Sequence, residues 1–417
     1  MNENWLFYLN RIREKLWVKP LVMCLLSIVA AFLATLADRP GVGDWLPTVS
    51  KESVETLLEL VASTMLVIAM FSVGSMVSAY ASASSSATPR SFPLVVADDT
   101  SQNALSTFIG VFIFSVVALI ALKNDFYEKA GVFALFVLTI LVFAIVILAF
   151  IRWVDSIARL GRLGNTIDKV EAATSNAFGQ RLGMPYLGGQ KSDGKVANGV
   201  PVVRSSIAYL QRIDMVKLQS LAEKFDLKVH VQSLPGTFCT PNRAIATVEQ
   251  PSQAEDLAEE CLQAIAECFV LSDTRTFDQD PRFGLVVLCE IACRALSPAV
   301  NDPGTAIDVI GTSTRLFHLW MSRSGQDTQN TLYDRVFMPE LREQDMFDDI
   351  YNGLARDAAG MVEVSIRLQK AFQAMAAFGS APVRAACLEH SRRALARNEL
   401  AMNLPHDIEA VRGAARF

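Results

Sequence analysis

LLELVASTMLVIAMFSVGSMVSAY, residues Leu57–Tyr80, decides how this chain is read. It is 24 residues rich in leucine, valine, methionine and alanine, with one carboxylate near its start, and a stretch of about 20 apolar residues is what a helix needs to cross the roughly 30 Å hydrocarbon core of a bilayer. Three more runs of this kind flank it, at Leu21–Leu36, Ala104–Leu122 and Gly131–Trp153, and none follows. The expected fold class is therefore membrane α-helical. Four transmembrane helices occupy residues 1–155 and a water-soluble part follows them.

The 51% hydrophobic content averages two compositions. After residue 155 the charges become mixed, as in a soluble domain, and about 260 residues remain, enough for real cores. The net charge of −5 is small for 417 residues and no block of like charge appears, so no nucleic-acid partner is expected. Seven cysteines, an odd number with no Cys-x-x-Cys pair and six of them in the soluble part, read as reduced thiols in a cytosolic domain rather than a disulfide framework. The basic start followed by an apolar run lacks a small-residue cleavage site, and Asp38-Arg39-Pro40 closes the segment, so a retained anchor is expected rather than a signal peptide.

Charge sets the orientation. Arg11, Arg13, Lys15 and Lys19 precede the first run; Arg152, Arg159, Arg162 and Lys169 follow the fourth; the first and third connections balance their few cations with acids. Both basic flanks face the cytoplasm under the positive-inside rule, as an even number of crossings requires. Trp5, Trp17, Trp45 and Trp153 fall near the expected interfaces. The first run is short and needs Leu16–Val18 to span.

Within the second run, Thr64, Ser75, Ser78 and Ser82 lie within about 40° of one line at 100° per residue, with Ser72 and Gly74 nearby. The third run opens with a similar face, in which Asp99, Gln102, Asn103, Ser106 and Gly110 lie within about 60° of one line. Two readings stand: small and hydroxylated residues that let helices pack closely, or the lining of a water-filled path. No ionisable residue lies deep in any run, which argues against a proton relay. Between these runs, Pro89 and Pro93 break the helix into an elbow that carries Arg90.

Residues 156–250 read as a linker helix and a small α/β unit. Residues 156–182 have helical spacing and extend the fourth run; Gly179–Gly199 reads as a loop or loose hairpin; Val202–Tyr209, Leu227–Val231 and Ala244–Val248 are strands; Asp214 caps a helix at Met215–Lys224. No modifiable lysine sits at a hairpin tip, so no covalent cofactor is expected. Residues 251–417 read as helical throughout, beginning at Ser252 or Gln253, with Leu257, Cys261, Ile265 and Cys268 on one face. Cys289 and Cys293 stand four apart without a histidine nearby in sequence and read as small buried hydrophobes, so no metal is expected.

The most distinctive stretch runs from Arg275 to Ala306. Pro298 ends one helix; Asp302 caps the next, with Pro303 in its first turn. Glu290 and Arg294 make an i, i+4 pair. Asp280, Arg282, Glu290, Arg294, Asn301 and Asp302 form a candidate polar cluster, either structural or ligand-binding; no nucleophile–base order is visible and no catalytic residue is assigned.

These residues carry a resemblance. Arg294-Ala295-Leu296-Ser297-Pro298 followed by Asn301-Asp302-Pro303, the preceding Gln279-Asp280, Tyr209 through Asp214, Ser84–Arg90 and Asp99–Gln102 resemble the bacterial membrane-protein family catalogued as domain of unknown function 2254, over nearly the whole chain. Ala299-Val300, Gly304 and Ala208 depart from its usual residues. The resemblance implies a fold plan and a membrane location, and no activity; the expected location is the bacterial inner membrane. The expected function is an oligomeric channel or pore with a cytoplasmic assembly or sensing domain. The alternative is a membrane-anchored ligand sensor without transport. Expected partners are membrane lipid, further copies of the chain, and an ion or small-molecule ligand.

Overall fold

The computed structural model describes residues 17–38, 46–194, 199–250, 258–323 and 331–416. The expectations for Trp5, Arg11, Arg13, Lys15, Arg39, Pro40, Trp45 and the helix start at Ser252 or Gln253 lie outside the described residues. The chain divides into two compact units, residues 1–166 and 167–417.

The first unit is built from helices α1 (Val18–Leu33, prolonged by a 3-10 turn at Ala34–Ala37), α2 (Lys51–Ser86), α3 (Phe92–Val96), α4 (Asp99–Lys123) and α5 (Lys129–Leu160). Four of them, all but α3, are long and apolar enough to cross a membrane. At about 1.5 Å per residue, the 20 residues Val18–Ala37 reach about 30 Å, so the first run is long enough with its 3-10 turn included. The two prolines do form an elbow: Pro89 opens a 3-10 turn capped by Thr88, and Pro93 sits in the first turn of α3.

Helix α4 is the hub, packed against α1, α2 and α5. Gly110 lets α1 approach it, since a Cβ there would stand 3.1 Å from Met23 Cβ. Asp38 caps α5 by accepting from the backbone N–H groups of Gly131 at 2.6 Å and Glu128 at 2.9 Å, which is why the chain stops and turns there. Tyr127, buried, donates to the Ala31 carbonyl at 2.8 Å. Trp153, near the end of the fourth run, is buried against Phe71, Phe108 and Phe150. Helix α5 ends at Leu160 on a Gly161 cap and a new helix, α6 (Leu163–Gly183), begins, so the expected continuous extension is broken into two pieces.

The second unit adds β1 (Gly189–Lys191), β2 (Val200–Val202), β3 (Ala208–Ile213), α7 (Met215–Lys224), β4 (Lys228–Val231), β5 (Phe238–Cys239), β6 (Ala246–Glu249), α8 (Glu259–Glu267), β7 (Phe269–Ser272), α9 (Pro281–Ala295), α10 (Pro303–Arg323), β8 (Tyr333–Met338), α11 (Glu343–Asp357), α12 (Val362–Phe378), α13 (Ala381–Ala401) and α14 (Pro405–Ala414). Asp214 caps α7 as its sequence indicated, accepting from Lys217 N at 3.1 Å. One sheet has the order β1-β8-β4-β6-β2 and a second has β5-β3-β7. Strands β7 and β8 correct the expectation of unbroken helix from Ser252 onward. In β8 only Val336 and Met338 are buried, too short an alternation to stand out beside long helices. It pairs in parallel with β1 and β4, partners far away in sequence.

The α/β core joins Leu210, Leu218, Val229, Ile245, Val248 and Phe269 to Val336. Among helices α10 to α13 an aromatic set, Phe317, Phe347, Tyr351 and Phe372, is fully enclosed.

Candidate functional site

Two sets of residues were singled out by the sequence, one in each unit. In the first unit, α2 turns its hydroxyl-bearing line outward. Thr64 and Ser78 are exposed, Ser75 is half-buried and Ser82 is exposed, while Ser72 is fully buried and donates to the Ile68 carbonyl of its own helix at 2.8 Å. Thr64 does the same to Leu60 at 2.7 Å. Such back-bonding satisfies a hydroxyl within its own helix. Ser75 and Ser78 differ. Their hydroxyls find no partner among the described residues. With Phe71, Gly74, Ala79 and Ser82 they form one wall of an open groove of about 620 Å³. The opposite wall is the end of α5: Ile157, Ala158, Gly161 and Arg162. Arg162 is the one charged side chain in this lining, and its guanidinium makes no hydrogen bond or ion pair among the described residues. Ser82 reaches the Gly161 carbonyl at 3.4 Å, where the two walls meet.

The polar face of α4 has a different fate. Gln102 and Ser106 are buried at the helix contacts. Gln102 Nε2 donates to the Val96 carbonyl at 3.0 Å, tying α4 to the elbow, and Ser106 donates to the Gln102 carbonyl at 2.6 Å. Asn103 is exposed. The α4 face therefore packs within the unit, and the α2 face is left open.

In the second unit, helix α9 separates the six candidate residues. Asp280 and Arg282 stand at its start; Arg294 stands in its last turn, and Asn301 and Asp302 lie beyond it, with the half-buried Glu290 between. Twelve residues of helix from Arg282 to Arg294 amount to about 18 Å, so the two ends are separate places.

The N-terminal end is a buried ionic corner. Asp280 is 2% exposed, caps α9 through Arg282 N at 3.2 Å, and accepts from Arg275 Nε at 2.8 Å. Burial raises its carboxyl above the ordinary value, outweighing the opposing pull of Arg275. Gly236 (φ +94°) presses against it; a Cβ there would lie 2.3 Å from Asp280 Oδ2, so only glycine fits. Arg282 grips Asp349 with two bonds of 2.6 and 2.9 Å and Asp345 with one of 3.2 Å. Burial pulls its guanidinium down, but Asp349 and the other carboxylates outweigh this and hold it above its ordinary value. Asp278 is raised by burial, with Arg212 opposing. Arg181, 4% exposed, is lowered to about 10 by burial, with Asp280 opposing; it donates from Nη2 to the Gln279 carbonyl at 3.3 Å, while Nη1 finds no partner among the described residues.

The C-terminal end is a turn between helices. Asp302 N donates to the Ala295 carbonyl at 2.8 Å, and Asp302 caps α10, accepting from Thr305 N at 3.1 Å and from Thr305 Oγ1 at 2.6 Å. Those bonds hold its carboxyl below the ordinary range. Asn301 has φ +50°, the left-handed conformation that asparagine tolerates best after glycine. Ser297 donates to the Arg294 carbonyl at 2.7 Å. Local geometry thus accounts for Ser297, Asn301, Asp302 and Pro303 together, while the side chains of Arg294 and Asn301 stay exposed.

Sequence reasoning did not anticipate Arg162, Gly161 and Phe71 as groove walls, or Arg181, Gly236, Asp345 and Asp349 at the ionic corner. In the sequence Arg162 stands out only as one of the basic residues that flank the fourth run. Asp345 and Asp349, at i and i+4, share a helix face, but nothing in their spacing points to an arginine over 60 residues away. Among the described residues no three His, Cys, Asp or Glu side chains form a ready cluster for a metal ion.

A family described as "Predicted membrane protein (DUF2254)" matches residues 13–374. An uncharacterized protein of Mycobacterium bovis and another of Mycobacterium tuberculosis are each 33% identical over 119 residues, which is 27% of this chain and 22% of each relative. The match thus spans about a fifth of the length of these curated relatives. No solved structure matches the chain.

Proposed function

The chain belongs to the DUF2254 family of predicted membrane proteins, and on that premise we propose an oligomeric channel of the bacterial inner membrane whose polar path runs along the serine-bearing groove of α2. The four apolar helices cross the bilayer, both termini lie in the cytoplasm, and the second unit serves assembly or sensing there. One observation carries the reading: Ser75 and Ser78 present hydroxyls without partners on the outside of an otherwise apolar helix, in a groove that ends at Arg162. Lipid tails offer such hydroxyls nothing, whereas water or a neighbouring protomer does. A second protomer laid along this face closes the groove into a path, and a lone guanidinium along it favours anions.

The test is flux from liposomes containing the purified protein. The expected result is release of a small anion, reduced at least tenfold in Ser78→Leu, which fills the groove. Absence of flux under every gradient, voltage and pH applied overturns the channel.

A second reading, a membrane-anchored sensor or regulator without transport, is favoured by Arg181, whose buried Nη1 lacks a partner beside Asp280. It predicts sealed liposomes and a small anionic ligand whose binding is lost in Arg181→Met.

A further inference from the structure

Where α4 begins and α5 ends, the first unit has a second pocket of about 340 Å³, apart from the serine groove. Asp98 and Thr100 line it from α4, Arg152, Asp155 and Arg159 from α5, and Asn165 from the start of α6. Ser156 holds the two helix ends together, its hydroxyl donating to Asp98 Oδ2 at 3.2 Å. Arg159 pairs with Asp155, one turn before it. The side chains of Thr100, Arg152 and Asn165 make no hydrogen bond or ion pair among the described residues.

The level of this pocket is set by the apolar runs beside it. The run in α4 starts at Ala104, six residues after Asp98, and the run in α5 stops at Trp153, six before Arg159. Each interval is about 9 Å of helix, and the headgroup layer on each side of the hydrocarbon core is about 5–8 Å deep. The charged lining therefore lies at the depth of lipid headgroups. One turn deeper on the same face of α5, at the i−4 positions to Arg152 and Asp155, Leu148 and Ile151 are 56% and 60% exposed. Charge at headgroup depth over bare apolar surface matches a phospholipid, headgroup first and then tail.

We propose that this pocket binds one phospholipid whose headgroup carries a phosphate and a primary ammonium, the phosphoethanolamine type. Arg152 takes the phosphate, since a guanidinium meets phosphate oxygens through two parallel N–H···O bonds. The Thr100 hydroxyl and the Asn165 amide donate to the remaining oxygens. Asp155 takes the ammonium: Arg159 engages its Oδ2, and Oδ1 is left to accept. The lining selects this headgroup. Two arginines against two aspartates carry no net charge, which favours a zwitterion over an anionic lipid. A quaternary ammonium has no N–H to donate and is held by aromatic faces, and none of the described lining residues is aromatic. The inference rests on the crossings alone and not on conduction, so a liposome that stays sealed leaves it standing.

The experiment is native mass spectrometry of the full chain released from mixed micelles that hold equal amounts of phosphatidylethanolamine, phosphatidylglycerol and phosphatidylcholine with the same acyl chains. The expected result is one phosphatidylethanolamine retained per chain, at least tenfold over either of the others; this ranking needs no variant. Arg152→Gln, at an exposed position, should cut retention at least fivefold. Asp155→Asn removes the ammonium's acceptor and frees Arg159, so the preference should pass to phosphatidylglycerol. Lys129→Gln, at the opposite end of α5, should change neither result. Free O-phosphoethanolamine in large excess should not displace the lipid, because it lacks the tail that Leu148 and Ile151 receive; displacement would assign the pocket to a soluble phosphoester and overturn the lipid. Equal retention of the three lipids, or undiminished retention in Arg152→Gln, overturns the site.

Discussion

Replacing Gly236 with alanine tests the reading of the ionic corner more sharply than removing a charge. The new Cβ would sit 2.3 Å from Asp280 Oδ2 and 2.7 Å from its Cγ. Relieving that overlap moves the carboxylate by about 1 Å, and the 2.8 Å bond from Arg275 Nε is lost. Breaking a buried pair typically costs about 3–5 kcal/mol. Holding alanine at φ +94° adds about 1–2 kcal/mol. Since the two parts overlap, about 4 kcal/mol is expected, a large share of the roughly 5–15 kcal/mol that keeps a domain folded. For a unit of this size each kcal/mol moves the midpoint by about 2–4 °C, so thermal unfolding of the full chain should shift down by roughly 8–16 °C. The decisive comparison is Gly236→Ala in an Asp280→Ala background. There the overlap has gone and only the backbone part, about 1–2 kcal/mol, should remain. Equal losses in both backgrounds would refute the claim that glycine is required by the carboxylate.

Other outcomes follow from the same geometry. Arg282→Met removes the three bonds to Asp345 and Asp349 and leaves Asp349 without its cation, while Asp345 keeps Arg342, so a loss of about 3 kcal/mol is expected in urea unfolding, largely relieved by adding Asp349→Asn. His390, 2% exposed among Phe347, Tyr351 and Phe372, is lowered by burial, with Asp348 and Glu389 opposing and Arg393 and Arg397 reinforcing. A histidine whose folded value lies below its unfolded one contributes fully above about pH 6.5 and loses that contribution as pH falls through this value. Unfolding midpoints should therefore drop between pH 7.5 and 5.5, by at most about 1.4 kcal/mol per pH unit, with a shallower slope in His390→Gln. Gly413→Ala, in α14 with nothing within 4 Å of the new Cβ, should raise stability by about 0.5–1 kcal/mol.

What the sequence made legible was local. The four apolar runs, the Asp214 cap, the proline elbow and the Asp302–Pro303 helix start each depend on residues within a few positions of one another, and each is present. What it hid was long-range. Periodicity put Ser75, Ser78 and Ser82 on one line of α2 and Gln102 and Ser106 on one face of α4. It could not say that the first line would be left open and the second packed, because that depends on which neighbour each helix finds. The polar cluster was drawn too wide for the same reason. Spacing cannot reveal that Asp280 and Asn301 stand at opposite ends of α9, or that Arg282 turns to Asp349. Strand β8 was missed because its partners β1 and β4 precede it by over a hundred residues.

The claim that α2 presents its serines to water is tested most directly by thiol reactivity in reconstituted liposomes. With Cys24 replaced, Ser78→Cys and Val77→Cys are compared for modification by a charged, membrane-impermeant thiosulfonate. Their positions are adjacent, both side chains are exposed on the single chain, and they point about 100° apart. Only a thiolate reacts, and each unit by which an apolar setting raises a thiol's pKa slows it about tenfold. Modification of Ser78→Cys at least tenfold faster than Val77→Cys is the predicted result. Equal, slow reaction of both would place the serine face against lipid and contradict the account.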